Sequence, residues 1–99
     1  MKNNQDYLNL LRKIKNKPES SQRELAEELD FSLGKLNYCL RALKIKGLIK
    51  ISNFKKNPKK INYIYVLTPK GILEKTRLSI NFMKKKMQEY DELKRELKK

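Results

Sequence analysis

The stretch "SLGKLNYCLRALKIKGLIK", Ser32 to Lys50, places Leu36, Cys39, Leu40 and Leu43 three and four residues apart. That spacing predicts a helix with one buried stripe. Lys35, Arg41, Lys44, Lys46 and Lys50 make the stretch basic, and it contains no acid. At about 100° per residue, Gly34, Asn37, Tyr38 and Arg41 gather on the face opposite the stripe. That face is neither apolar nor laced with opposite charges, the two ordinary finishes of a helix surface. Its purpose has to be read from the neighbouring segments.

Upstream lies "SSQRELAEELDFS", residues 20–32. Ser21 with Glu24 three residues later is a capping box, so a helix starts there and carries Leu25, Ala26 and Leu29. Asp30 tolerates a left-handed backbone and breaks it, and Ser32 can cap the next helix. Two short helices joined by a tight turn predict a helix-turn-helix. Ala26 is the small residue where the helices approach, and Leu25, Leu29, Phe31, Leu36 and Cys39 take the inward positions. Asp30 stands where a Gly is usual in the turn, and Asp is among the few residues that accept positive φ. Further upstream, Tyr7, Leu8, Leu10, Leu11 and Ile14 predict an amphipathic helix that Pro18 ends.

Downstream, "KGLIKIS" reads as a Gly-terminated helix followed by a strand. "NFKKNPKK" is a turn tip, and "INYIYVL" is a strand by its β-branched and aromatic content. The pair forms a β-hairpin behind the helix-turn-helix, the layout of a winged helix. "LTPKG" then opens a helix with Thr68 as N-cap and Pro69 in the first turn, slightly weakened by Gly71. This helix extends from Pro69 to the last residue, about 45 Å at 1.5 Å per residue. The expected fold is therefore α+β and mainly α. Residues 1–68 form a winged helix-turn-helix with a two-stranded wing, and residues 69–99 form a long helix.

Leu73, Ile80, Met83, Met87, Tyr90 and Leu97 fall on an a/d seam of that helix, interrupted by Thr76 and Lys94. Leaving them in water is costly, so the seam is expected to form a homodimer interface. The other reading is a solvated tail whose base packs on its own domain. Lys84–Lys86 is either the outer face of this helix or a further phosphate contact.

The 99 residues carry 25 basic and 11 acidic side chains, net +14, enough for one domain and its projecting helix. Residues 32–60 alone hold nine basic and no acidic side chains. A field so concentrated suits a polyanion, nucleic acid or an anionic membrane, better than it suits simple solubility. No apolar run approaches the roughly 18 residues of a membrane span, and the N-terminus lacks the apolar core of a signal peptide. The single Cys excludes an intramolecular disulfide, and Cys39 falls on the buried side of its helix. A cytoplasmic location is expected. Without His, a metal-ligand pair or a Gly-rich phosphate loop, the sequence offers no catalytic centre, metal site or cofactor site. Glu24, Glu27 and Glu28 are explained as the solvated face of one helix.

Together, "SQRELAEEL", "SLGKLNYCLRALKIKGLIK", the Lys-rich wing and "LTPKGILEK" resemble the MarR-type winged-helix transcriptional regulators. "SLGKLNYCL", "KGLIKISNFKKNP" and "LTPKGILEK" are similar to the small EPS-associated subgroup, linked to exopolysaccharide gene clusters. The resemblance spans roughly Tyr7 to Leu97. It implies a prokaryotic, homodimeric, DNA-binding repressor or activator. The wing carries "KKNPKK" where the wider pattern has Asp-Arg-Arg. Asn37 and Tyr38 stand where it has Ser-Arg, so base preference should differ.

Residues and resemblance converge on the helix at about 32–46 as the reader of duplex DNA. Asn37, Tyr38 and Arg41 are expected at base edges, since Arg pairs with guanine and Asn with adenine in the major groove; Tyr38 could instead bond a phosphate. Gly34 would let the backbone approach. Ser32, Lys35 and Lys44 are expected on the phosphate backbone, and Lys55, Lys56, Lys59 and Lys60 of the wing on phosphates or the minor groove. Two other classes remain open at this point. One is a non-specific or RNA-binding winged helix, in which Tyr63 and Tyr65 could stack bases, although packing on the core is the readier role for both. The other is a protein-interaction module working through the long helix.

Overall fold

The computed structural model describes residues 4–57 and 60–98, with side chains for residues 4–52 and 64–98. The order is α1 (Asn4–Asn16), α2 (Gln22–Leu29), α3 (Leu33–Ile45), β1 (Ile49–Asn57), β2 (Lys60–Leu67) and α4 (Pro69–Leu97). This is the expected winged helix-turn-helix with its long C-terminal helix.

The helix ends follow from local chemistry. Ser21 Oγ accepts the Glu24 N–H at 3.1 Å and donates to the Glu24 carboxylate at 3.2 Å, which starts α2. Asp30 ends it in the left-handed region, φ 57° and ψ 40°, and the Phe31 N–H reaches back to the Ala26 carbonyl at 2.8 Å. Ser32 Oγ accepts the Lys35 N–H at 3.0 Å and starts α3. Each of these ends sits where the capping residues of the sequence put it.

One core joins the three short helices to the base of the wing. Leu10 and Leu11 of α1, Leu25 of α2, Leu36 and Leu43 of α3 and Ile49 of β1 are its most enclosed large side chains. Each contributes about 1.5–3 kcal/mol on burial. Leu29 and Phe31 of the turn pack against the core while staying partly exposed. The wing is an antiparallel pair running from Ile49 opposite Leu67 to Asn57 opposite Lys60, and its register slips between Lys55 and Asn57.

The junction of α3, β1 and α4 is closely packed. Gly47 closes α3 at φ 74°, and the Leu48 N–H returns to the Leu43 carbonyl at 2.9 Å. Thr68 lies against this turn from the other end of the wing. Its hydroxyl donates to the Gly47 carbonyl at 2.6 Å and accepts the Gly71 N–H at 3.0 Å, while its own N–H reaches the Leu48 carbonyl at 3.0 Å. α4 thus starts on the backbone of the α3–β1 turn. Gly71 is buried there, and a Cβ on it would stand 1.9 Å from the Leu48 oxygen. The sequence alone marks Gly71 as a slight weakness of the first turn; the structure makes it a condition of docking.

Leu78 is buried in the core and Phe82 packs against it, so the first part of α4 belongs to the same body as α1–α3. Every described side chain from Met83 to Lys98 is exposed. None of the described helices is long and apolar enough to cross a membrane.

Gly34, by contrast, has only Ser32 Oγ within reach of an added Cβ, at 4.0 Å. Urea unfolding should therefore separate two glycines of the same chain. Gly71→Ala should lose about 3 kcal/mol or more through overpacking against backbone. Gly34→Ala should be neutral or gain up to about 1 kcal/mol of helix propensity.

Candidate nucleic-acid interface

The stripe Leu36, Cys39, Leu40 and Leu43 is buried, each residue at most 4% exposed, and this fixes the rotation of α3 about its axis. Gly34, Asn37, Tyr38 and Arg41 consequently all face outward. Tyr38 is 71% exposed, unusual for an aromatic residue that its own fold could have used. Ile45, 78% exposed, continues the same face one turn beyond Arg41. Sequence reasoning missed it. The helical count alone would have found it, because Ile45 stands four residues after Arg41.

The basic residues around this face differ in their engagements. The Lys35 ammonium lies 2.9 Å from the Asp6 carboxylate of α1 and 4.4 Å from the Phe31 ring centroid. An exposed pair of this kind is worth at most about 1 kcal/mol, so a phosphate can compete with Asp6 for Lys35. Lys44 and Arg41 are exposed. Ser32 uses one lone pair for its cap, and among the described residues its O–H has no acceptor. Of the wing lysines, Lys59 lies outside the described residues. Lys55, Lys56 and Lys60 have described backbone on the strands, but their side chains do not.

Gln22, at the start of α2, donates from Nε2 to the Tyr65 hydroxyl at 3.0 Å, and Tyr65 packs against the core. This engagement ties the wing to the helix-turn-helix and takes Tyr65 away from the base-stacking role. The side chain of Tyr63 lies outside the described residues. Glu28 is held below the usual carboxylate range by hydrogen bonds from Lys17 and then Lys13, both at 3.2 Å. These contacts join α1 to α2 on the side chains' exposed surface.

On α4, Leu73, Ile80, Met83, Met87, Tyr90 and Leu97 are all exposed, between 47% and 87%. Ile72 and Leu93, which the a/d count omitted, are exposed beside them. By helical geometry the seam lies roughly 130° round from the side that Leu78 and Phe82 press on the core. One face of α4 is thus used by its own domain and a second apolar face is not.

Cys39 is free and buried. Burial, and after it the nearby Asp6 carboxylate, push its thiol above the ordinary range; burial likewise raises Tyr7 beside it. A thiol held protonated is a poor nucleophile. Among the described residues no group of three or more His, Cys, Asp or Glu could hold a metal ion. Because both groups are raised, their contribution to stability is full below the unfolded cysteine value of about 8.5 and is lost as pH rises above it. Urea midpoints should therefore fall above about pH 8.5. Cys39→Ala should blunt that fall, and a thiol reagent at neutral pH should modify native Cys39 far more slowly than the unfolded chain.

Residues 8–50 match the family described as winged helix-turn-helix DNA-binding. No curated protein matches the chain. Several solved structures share the fold. Staphylococcus aureus MarR in complex with salicylate and kanamycin superposes with a TM-score of 0.67 at 19% identity, over 89% of this chain and 57% of that one. Streptococcus pneumoniae FabT in complex with DNA gives 0.62 at 23% identity, over 87% and 58%. A transcriptional regulator homologue from Pyrococcus horikoshii OT3 gives 0.63 at 19% identity, over 86% and 82%. The chain thus spans under three fifths of the length of the first two. At these identities the likeness establishes the winged helix-turn-helix fold.

Proposed function

We propose that the chain is a MarR-type, sequence-specific regulator of transcription that binds duplex DNA as a homodimer and has no catalytic activity. The observation that carries this reading is the outward face of α3. Its buried stripe leaves Asn37, Tyr38 and Arg41, with Gly34, as a continuous exposed surface on a basic helix. A helix of this diameter fits the major groove, and Arg and Asn are its usual bidentate readers. Gly34 would bring the backbone close, Ser32, Lys35 and Lys44 would hold phosphates, and the wing would lie on the backbone or minor groove.

The match of residues 8–50 and the fold shared with FabT, whose structure is in complex with DNA, support the same reading. The likeness of "SLGKLNYCL" and "LTPKGILEK" to the EPS-associated subgroup is the finer proposal. With two copies of α3 related by a two-fold axis, the operator would be an inverted repeat with half-sites about one helical turn apart. The setting would be the cytoplasm of a prokaryotic cell. Tyr65 is engaged by Gln22, which counts against a stacking, RNA-binding surface.

The test is a titration of labelled duplex taken from around the protein's own gene, repeated across salt concentrations. If about five phosphates per protomer are neutralised, log K against log salt should slope near −9 for the dimer. Arg41→Ala should weaken binding at the preferred site by about 1–3 kcal/mol and narrow the gap to random duplex. Equal, weak binding of every duplex by both proteins would reduce the surface to a general polyanion binder.

A further inference from the structure

The charges of α4 choose how two copies of it would run. From Lys70 to Lys86 the helix holds six basic residues and one acid, Glu74; from Gln88 to Leu97 it holds four acids and two bases. Lys86 is engaged within its own helix, 3.4 Å from Glu89 and 5.5 Å from the Phe82 ring centroid. Lys84 and Asp91, which flank the apolar seam on its other side, have no ion-pair partner among the described residues.

We propose that α4 pairs antiparallel with α4 of a second copy. Ile80 lies against Leu97, Met87 against Tyr90 and Met83 against the aliphatic stem of Lys94, each contact made twice about a two-fold axis. Lys84 of each copy stands beside Asp91 of the other. The proposal rests on the homodimer reading given above and adds its direction and register.

A parallel pair would stack Lys94 on Lys94 within the seam and lay the basic half of one helix along the basic half of the other. Its flanking ion pair would be Lys86 with Asp91, which requires Lys86 to leave Glu89. An antiparallel pair shifted by one heptad, with Leu73 against Leu97, buries more apolar surface. It also gathers Lys84 and Lys86 of both copies round the two-fold axis, like charge on like. The Ile80–Leu97 register instead sets Lys84 beside Asp91 on both sides of the axis and keeps the Lys84 and Lys86 pairs of the two copies apart, its one like-charge contact beside the seam being Arg77 with Lys98 of the other copy. It places the two Gly71–Phe82 segments, on which the winged-helix bodies sit, about 36 Å apart along the pair. That offset is close to the 34–36 Å of one DNA turn.

A spin label at Leu97→Cys, in a chain carrying Cys39→Ala, reports the arrangement as a label-to-label distance in the free protein. The antiparallel register predicts about 26 Å between the two positions, from 17 residues of helical rise. A distance near 10 Å, the spacing of paired helices, would overturn it in favour of the parallel pair. A distance near 36 Å would overturn it in favour of the shifted register. A monomer in sedimentation equilibrium of the unsubstituted chain would instead take down the homodimer reading itself. Charge reversal in the chain with native Cys39 is the second test. Asp91→Lys should weaken self-association several-fold, and adding Lys84→Asp should restore it. Restoration by Lys86→Asp in place of Lys84→Asp would overturn the proposal.

Discussion

The orientation of α3 is the constraint on which the rest depends. Its four inward residues are enclosed between α1, α2 and the base of the wing, and rotating the helix by even one residue would push Leu36 or Leu43 into water. Each such side chain is worth about 1.5–3 kcal/mol buried, more than any exposed hydrogen bond the outward residues could form. The core therefore dictates which residues point away from it. Asn37, Tyr38 and Arg41 are displayed because the stripe behind them is filled, and their spacing along α3 is inherited from the packing.

A second constraint ties this display to α4. The α3–β1 turn offers the Gly47 and Leu48 carbonyls to Thr68, and Gly71 leaves room for the backbone of α4 to lie on Leu48. The base of the wing, the end of α3 and the start of α4 meet at one point, and a shift of α4 has to pass through it. A helix that extends beyond its own core from Met83 onward is thereby held rigidly to the helix carrying the outward face. If α4 joins two copies, the same junction fixes the distance between their two faces.

Much of this was legible in the sequence, for a definite reason. Capping residues act within four positions of themselves, so Ser21, Asp30, Ser32 and Thr68 announce the ends of three helices without tertiary information. The stripe of α3 and the β-branched and aromatic content of β2 are equally local. What the sequence withheld depends on pairs far apart in it. Gly71 looked like a small defect because its partner, the Leu48 carbonyl, is reached only once the wing has folded back. Lys35 looked free because Asp6 belongs to another helix; packing of Tyr65 on the core was the readier expectation, but the bond that also holds its hydroxyl comes from Gln22, 43 positions away. Ile45, four residues after Arg41, belongs to the outward face by helical spacing alone, and it is exposed.

The outward face of α3 is proposed to enter the major groove. The most direct measurement is the change in backbone and side-chain NMR resonances as the protein is titrated with the duplex from around its own gene. The largest changes should fall on Gly34, Asn37, Tyr38, Arg41 and the Arg41 guanidinium, with smaller ones in the wing. Changes confined to α1 or to the exposed half of α4, with α3 unmoved, would contradict it.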